Sequence, residues 1–299
     1  MFIKYEKIIN GSCKKPILID VHVPKEFYNN KVIIFSHGFK GFKDWGPFNK
    51  IAEYFVNQGF IYVKFNFSYN GTSIENPLDF IDLDAFGNNN FCKELDDLGL
   101  VIDWVNNEFS EKEIILFGHS RGGSISILKI LEDNRISKII SWASPSNFLT
   151  KLPDKEKAKE WKKKNVAYIY NGRTKQNMPM YYQFYKNCLA NKDRLDIKTS
   201  LKKMNIPHLH IHGDGDPTVL IDEAYNIKKW SNNTKLHIIK DANHVFDSCH
   251  PYSLKKYPKD HKKMTISLSK AIEMGYYIMY CISYSSILGI LAVFWGVLA

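Results

Sequence analysis

Arginine is scarce: Arg121, Arg135, Arg173 and Arg194 are the only four among 41 basic residues, so the net charge of +10 is almost entirely lysine. Base readout and bidentate phosphate clamping draw on arginine's planar fork, whereas lysine dispersed along a chain reads as solvated surface. A nucleic-acid partner is therefore not expected. The densest lysine stretch, LPDKEKAKEWKKK, mixes both signs of charge. Cysteine is thin as well. Cys13, Cys92, Cys188, Cys249 and Cys281 are odd in number, widely scattered and contain no CxxC pair, which excludes the dense framework of a small secreted disulfide protein and predicts a reducing compartment. The opening MFIKYEKIINGSCKKP has no apolar core between a basic start and a small-residue cleavage site, so no secretory signal is read and a cytoplasmic protein is expected. Internal repeats and low-complexity linkers are also missing. What remains, 299 residues at 44% hydrophobic and 24% charged, suits one globular domain carrying an insertion.

The order of periodicities supplies the fold class. Phe2 to Ile9 and Ile17 to Val23 alternate apolar and polar positions around an NGSCKKP turn, which predicts an antiparallel hairpin at a sheet edge. Continuous apolar runs follow at Val32 to Phe35, Phe60 to Phe67, Ile114 to Phe117 and Ile136 to Trp142, as expected of strands buried on both faces. Helical stretches separate them, one near Pro47 to Gln58 and one carrying Leu95, Leu98, Ile102, Val105 and Phe109 at 3.6-residue spacing. The rhythm stops from Pro145 to Asn205, which marks a cap insertion. It resumes with PHLHIHGDGD, a helix over Asp222 to Trp230, the strand LHIIK and a last helix from about Lys259. Strands alternating with helices imply a mostly parallel central sheet, with reactive groups at the carboxyl ends of its strands.

Three motifs stand at such ends. Gly118-His119-Ser120-Arg121-Gly122 fits G-x-S-x-G, in which a strand turns sharply into a helix and exposes a serine hydroxyl. Serine is a poor nucleophile without a base beside it and a third group to orient that base. IHGDGDPTV presents Asp214 and Asp216 at a glycine turn, and KDANHVF presents His244 after the next strand, so Ser, Asp and His follow one another in the order expected for this architecture. Asp216 is preferred as the orienting acid, because Asp214 is the natural partner of the turn's own amides. His244 is preferred as the base over His250, which lies beyond a cysteine and beside Pro251. The loop HGFKGF directly after VIIFS nominates the backbone N–H of Phe39, together with that of Arg121, as donors to an oxyanion. His208, His210 and His212 share one face of their strand, but no Cys or Glu at ligand spacing completes a coordination shell, so no metal site is read there.

With these motifs assembled, the chain resembles α/β-hydrolase enzymes of the dienelactone-hydrolase and cinnamoyl- or feruloyl-esterase type, and the catalytic domains of prolyl-oligopeptidase-like serine peptidases. The resemblance runs from about Lys31 to Ser248 and rests on HGFKGFKDWGPF, FNFSYNGTS, GHSRGG, IHGDGDPTV and DANHVF. It implies an α/β-hydrolase fold, hydrolysis by Ser120, His244 and Asp216 with Phe39 and Arg121 as oxyanion donors, and chemistry without a metal or organic cofactor. The substrate it implies is a small-molecule ester or a short peptide. Ester hydrolysis through an acyl-serine is the leading expectation; a peptidase or amidase, and an inactive binding module, are the rivals. Within the insertion, Tyr181, Tyr182, Phe184 and Tyr185 either line an aromatic acyl pocket or pack the cap onto the body.

Beyond the resemblance, the 24 residues from Tyr276 to Ala299 carry no charge and are long enough to span a bilayer. Lys259, Lys262, Lys263 and Lys270 precede them, which would keep the body cytoplasmic and anchor it to the inner face of a membrane. The competing expectation is a soluble last helix, to which Ser283, Ser285 and Ser286 lend weight.

Overall fold

The computed structural model describes residues 1–26 and 29–252; the helix expected from about Lys259 and the uncharged 276–299 segment lie outside the described residues. Among the described residues, no helix is long and apolar enough to cross a membrane.

Alternation at the N-terminus produces β1 (Phe2–Asn10) and β2 (Pro16–Pro24), paired antiparallel from Phe2↔Pro24 to Asn10↔Pro16. β1 is exposed along most of its length and forms the sheet edge, whereas Ile17, Ile19 and Val21 of β2 are fully buried. The apolar runs become β3 (Lys31–Ser36), β4 (Ile61–Phe65), β5 (Glu113–His119) and β6 (Ile136–Trp142), and the PHLHIHGDGD and LHIIK segments give β9 (His208–Gly213) and β10 (Thr234–Ile239), with β7 and β8 set apart in the insertion described below. The eight main strands lie in the order β1-β2-β4-β3-β5-β6-β9-β10, and every neighbouring pair from β4 to β10 is parallel. Every residue of β3 and β4 is buried, which explains why their sequences show no alternation; β9 is also buried on both faces, although His208, His210 and His212 alternate with Leu209 and Ile211.

Helices cover both faces. α1 (Phe48–Asn57) packs Phe48, Ile51 and Phe55 against Ile33, Phe35, Phe117, Leu209 and Ile211 on one face. On the other face lie α3 (Phe91–Glu108), α4 (Arg121–Lys129), α7 (Ile197–Lys203) and α8 (Ile221–Trp230). The 3.6-residue stripe of α3 is the reason it packs there: Leu95, Leu98, Ile102 and Val105 have no exposed surface, and the side chain of Asn90 caps the helix by accepting from the Lys93 N–H at 3.0 Å.

The segment after β6 contains α5 (Lys155–Lys164), a two-stranded antiparallel hairpin of β7 (Val166–Asn171) and β8 (Gln176–Tyr181), α6 (Gln183–Ala190) and then α7. The hairpin lies against α2 (Leu83–Gly87), a single turn that no periodicity announces. α7 packs on α4 and α8, as part of the layer that covers the sheet.

A buried charge network holds the loop after β3. Asp20 on β2 and Lys64 on β4 meet at 2.6 Å, and Lys43 reaches Asp20 at 2.7 Å and Asp44 at 2.5 Å. Lys64 closes the square on Asp44. Asp20, Lys43 and Lys64 are almost wholly excluded from solvent, so each charge depends on its partners. The side-chain oxygen of Asn66 adds a bond from the Lys43 N–H at 2.6 Å, which ties the loop to the end of β4.

Candidate active site

β5 ends at His119, and the chain turns into α4 through Ser120, whose backbone sits at φ 54°, ψ −122°, a conformation that L-residues adopt only under constraint. The constraint is steric and hydrogen-bonded. A Cβ on Gly118 would come within 2.4 Å of the Gly122 backbone, and one on Gly122 within 2.3 Å of the Ser36 carbonyl, so the turn closes only with glycine at both positions. The Ser120 N–H donates to the Trp142 carbonyl at 2.7 Å.

The loop after β10 carries His244 to this elbow. Its Nε2 lies 3.0 Å from Ser120 Oγ, and its Nδ1 lies 2.8 Å from Asp216 Oδ2. Asp216, in the turn after β9, is buried; its other oxygen accepts the N–H groups of Thr218 at 2.8 Å and Val219 at 2.9 Å. Burial alone would raise the carboxyl's pKa, but the bonds from His212, His244 and the Val219 amide outweigh it and hold Asp216 well below the ordinary carboxylate range. A carboxylate acceptor fixes the proton of His244 on Nδ1 and leaves Nε2 free to accept from serine.

Gly38 abuts the same point, since a Cβ there would stand 3.0 Å from the Cβ of Ser120. The next residue is Phe39. Neither its N–H nor that of Arg121 at the start of α4 donates a hydrogen bond among the described residues. His37 shapes this loop: its Nδ1–H donates to the Gly38 carbonyl at 2.9 Å, and its Nε2 accepts from the Phe67 N–H at 3.3 Å. Burial lowers the His37 pKa to about 4, so the ring keeps this neutral tautomer. Ser120 and His244 open onto a cleft of roughly 410 Å³ that also includes Phe39, Trp45, Lys40 and Arg173.

No family profile and no curated protein sequence matches the chain. Solved structures do. Est1E from Butyrivibrio proteoclasticus, solved with ferulic acid bound, superposes at a TM-score of 0.68 with 17% identity, over 92% of this chain and 98% of that one. A putative hydrolase from Agrobacterium vitis S4 matches at 0.68 with 16% identity, over 92% and 99%. The mouse alpha/beta hydrolase domain-containing protein 10 matches at 0.65 with 16% identity, over 90% and 98%. The chain has the α/β-hydrolase fold.

In this α/β-hydrolase fold, the rival residues are engaged elsewhere. Asp214 accepts the Asp241 N–H at 2.5 Å, joining two turns. His250 lines the cleft, but its Nδ1 accepts the Gly46 N–H at 2.9 Å and its ring packs on Phe42 and Trp45. The four aromatic residues of the insertion divide. Phe184 lines a second, apolar cavity of roughly 430 Å³ with Phe91, Phe148, Trp161 and Met180, and Phe39 borders both cavities. Tyr181 instead lies over Gly87 and donates to Asp84 at 2.9 Å, while Tyr182 and Tyr185 stack on each other beside Trp161. These three tyrosines join the insertion to the body and to itself, and none lines either cavity.

Two further residues belong to the site. His119 donates from Nε2 to the His244 carbonyl at 2.9 Å. The Arg121 guanidinium packs between the rings of Phe39, at 4.1 Å, and Phe91, at 4.8 Å, while bonding buried Glu94 at 3.1 Å. His119 occupies a variable position of G-x-S-x-G, so the motif gives no signal for it. The side chain of Arg121 is likewise unspecified by a motif that uses only its N–H.

Proposed function

We propose that the chain hydrolyses carboxylic esters through an acyl-serine intermediate. The observation that carries this reading is the hydrogen-bonded line Asp216–His244–Ser120 opening onto a cleft. In the forward step, Ser120 Oγ attacks the ester carbonyl as its proton passes to His244 Nε2. The oxyanion that forms is met by the N–H groups of Phe39 and Arg121, the latter at the positive end of α4. Collapse breaks the carbon–oxygen bond, and His244 returns the proton to the departing alkoxide. Water then loses a proton to His244, attacks the acyl carbon and releases the acid, restoring Ser120.

The surroundings favour an aromatic or extended acyl group bearing negative charge. The apolar cavity behind Phe39 is lined by aromatic and aliphatic side chains with Lys151 and Lys157 beside them. The cleft lining contains Lys40 and Arg173 and no carboxylate. The ferulic acid bound to Est1E is likewise aromatic.

The test compares aryl esters with matched anilides. An alkoxide or phenoxide departs with little help, whereas an amine must be protonated as it leaves. Esters are expected to be cleaved at least about a hundredfold faster in kcat/KM, which corresponds to about 2.7 kcal/mol of transition-state discrimination. Equal or faster anilide cleavage would replace the esterase reading with an amidase.

A further inference from the structure

The three histidines of β9 are joined to the Asp216 turn by an unbroken hydrogen-bond chain. Thr234 Oγ1 lies 2.8 Å from His208 Nδ1, and His208 Nε2 lies 2.7 Å from Ser141 Oγ. Ser141 Oγ lies 2.7 Å from His210 Nδ1, and His210 Nε2 lies 3.1 Å from His212 Nδ1. His212 Nε2 then lies 2.8 Å from the Val219 carbonyl and 3.5 Å from Asp216 Oδ2. All three rings and Ser141 are completely buried, on the sheet face opposite Leu209 and Ile211.

The direction of the chain follows from its end. A carbonyl only accepts, so His212 carries its proton on Nε2 and, as a neutral ring, offers Nδ1 as an acceptor. His210 must then donate from Nε2 and accept at Nδ1, which Ser141 satisfies with its hydroxyl hydrogen. The Ser141 oxygen accepts from His208 Nε2–H, and Thr234 donates to His208 Nδ1. Every donor points towards Asp216. Burial lowers the His208 pKa to about 3 and holds His210 well below its ordinary value, consistent with uncharged rings. Aligned hydrogen bonds polarise one another, and their positive end faces a carboxylate.

We propose that Ser141, His208, His210 and His212 form a positioning relay: it fixes His212 as the Nε2–H tautomer and so holds the Val219 carbonyl and the Asp216 carboxylate in the geometry His244 requires. The link to turnover rests on the esterase reading; the tautomers and the Asp216–His244 bond do not. An apolar strand would fill the same volume without burying three imidazoles, which is tolerated only because each ring nitrogen has a partner.

Histidine-labelled protein examined by two-bond ¹H–¹⁵N NMR tests this without reference to activity. The relay predicts that His208, His210 and His212 are Nε2–H tautomers, and that His208 and His210 do not titrate between about pH 5 and 8, the range in which an ordinary histidine changes charge. An Nδ1–H tautomer at His210 or His212 would overturn it. His210 contacts neither Asp216 nor the cleft, so His210→Leu cuts the chain at a distance, and His210→Gln restores only the donor to His212. In folded His210→Leu, the His244 Nδ1–H resonance should shift and kcat should fall about tenfold with KM little changed, with partial recovery in His210→Gln. An unshifted His244 resonance in a folded His210→Leu would reduce the chain to core packing. If the wild type proves inactive on esters, the NMR outcomes still decide the relay.

Discussion

His119 Nε2 donates to the backbone carbonyl of His244 at 2.9 Å, so the residue before the serine elbow anchors the loop that carries the base. Burial, aided by the neighbouring His244, lowers the His119 pKa to about 3, which keeps the ring neutral with its proton available for this bond. His119→Phe should lower kcat about tenfold, the scale of one lost hydrogen bond, and His119→Gln should retain much of the activity. Steady-state kinetics beside thermal unfolding checks this; equal activity in His119→Phe and the wild type would remove His119 from the site.

Asp216 and Asp214 stand two residues apart but bond different partners, His244 in one case and the Asp241 amide in the other. Asp216→Asn should cost about four orders of magnitude in kcat, because an amide favours the wrong histidine tautomer. Asp214→Asn should cost less than about tenfold, the scale of one lost hydrogen bond. A larger loss in Asp214→Asn than in Asp216→Asn would reverse the two roles.

Acid should undo the buried charge square. Burial by itself would raise the pKa of Asp20, but Lys64 and Lys43 outweigh it and hold the carboxyl well below its ordinary value. A folded-state pKa below the unfolded one contributes stability that is complete above about pH 4, the ordinary carboxylate value, and is lost as pH falls further. Asp20→Asn should therefore be less stable than the wild type by about 3–5 kcal/mol at neutral pH, with the gap narrowing below about pH 4. Thermal unfolding at several pH values measures this, and parallel curves for the two proteins would contradict it.

Glu94 is buried and has its pKa raised by that burial, against which Arg121 pulls down. Arg121→Met should destabilise the fold by about 3–5 kcal/mol, because it removes the charge partner of buried Glu94 and leaves its carboxylate only the Asn89 amide at 2.7 Å. Adding Glu94→Met should recover most of the loss. Denaturant unfolding reads both, and a single variant within about 1 kcal/mol of wild type would show that the pair is not a buried dependency.

The alternation of the hairpin and the apolar runs of β3, β4, β5 and β6 made the sheet legible because each strand's burial on one or both faces is written in its own residues. Ser120, Asp216 and His244 were legible for a related reason: each follows a recognisable strand, in the order the architecture uses. α2 was not, since five residues give no period to read. The β7–β8 hairpin was hidden because β8 includes Pro179 and lacks the β-branched alternation of an ordinary strand. The aromatic cluster at Tyr181–Tyr185 showed its composition but not its facing, which depends on Asp84, Gly87 and Trp161 elsewhere in the chain. The histidine alternation showed a shared face, but its partner Ser141 comes from another strand, 69 residues away from His210.

The central claim is that His244 activates Ser120, and covalent labelling by a fluorophosphonate probe with peptide mapping tests it most directly. Only an activated serine reacts at an appreciable rate. The expected result is a single adduct on Ser120, lost in Ser120→Ala and strongly slowed in a folded His244→Ala. A folded wild-type protein that takes up no probe, or takes it up at another residue, would contradict the account.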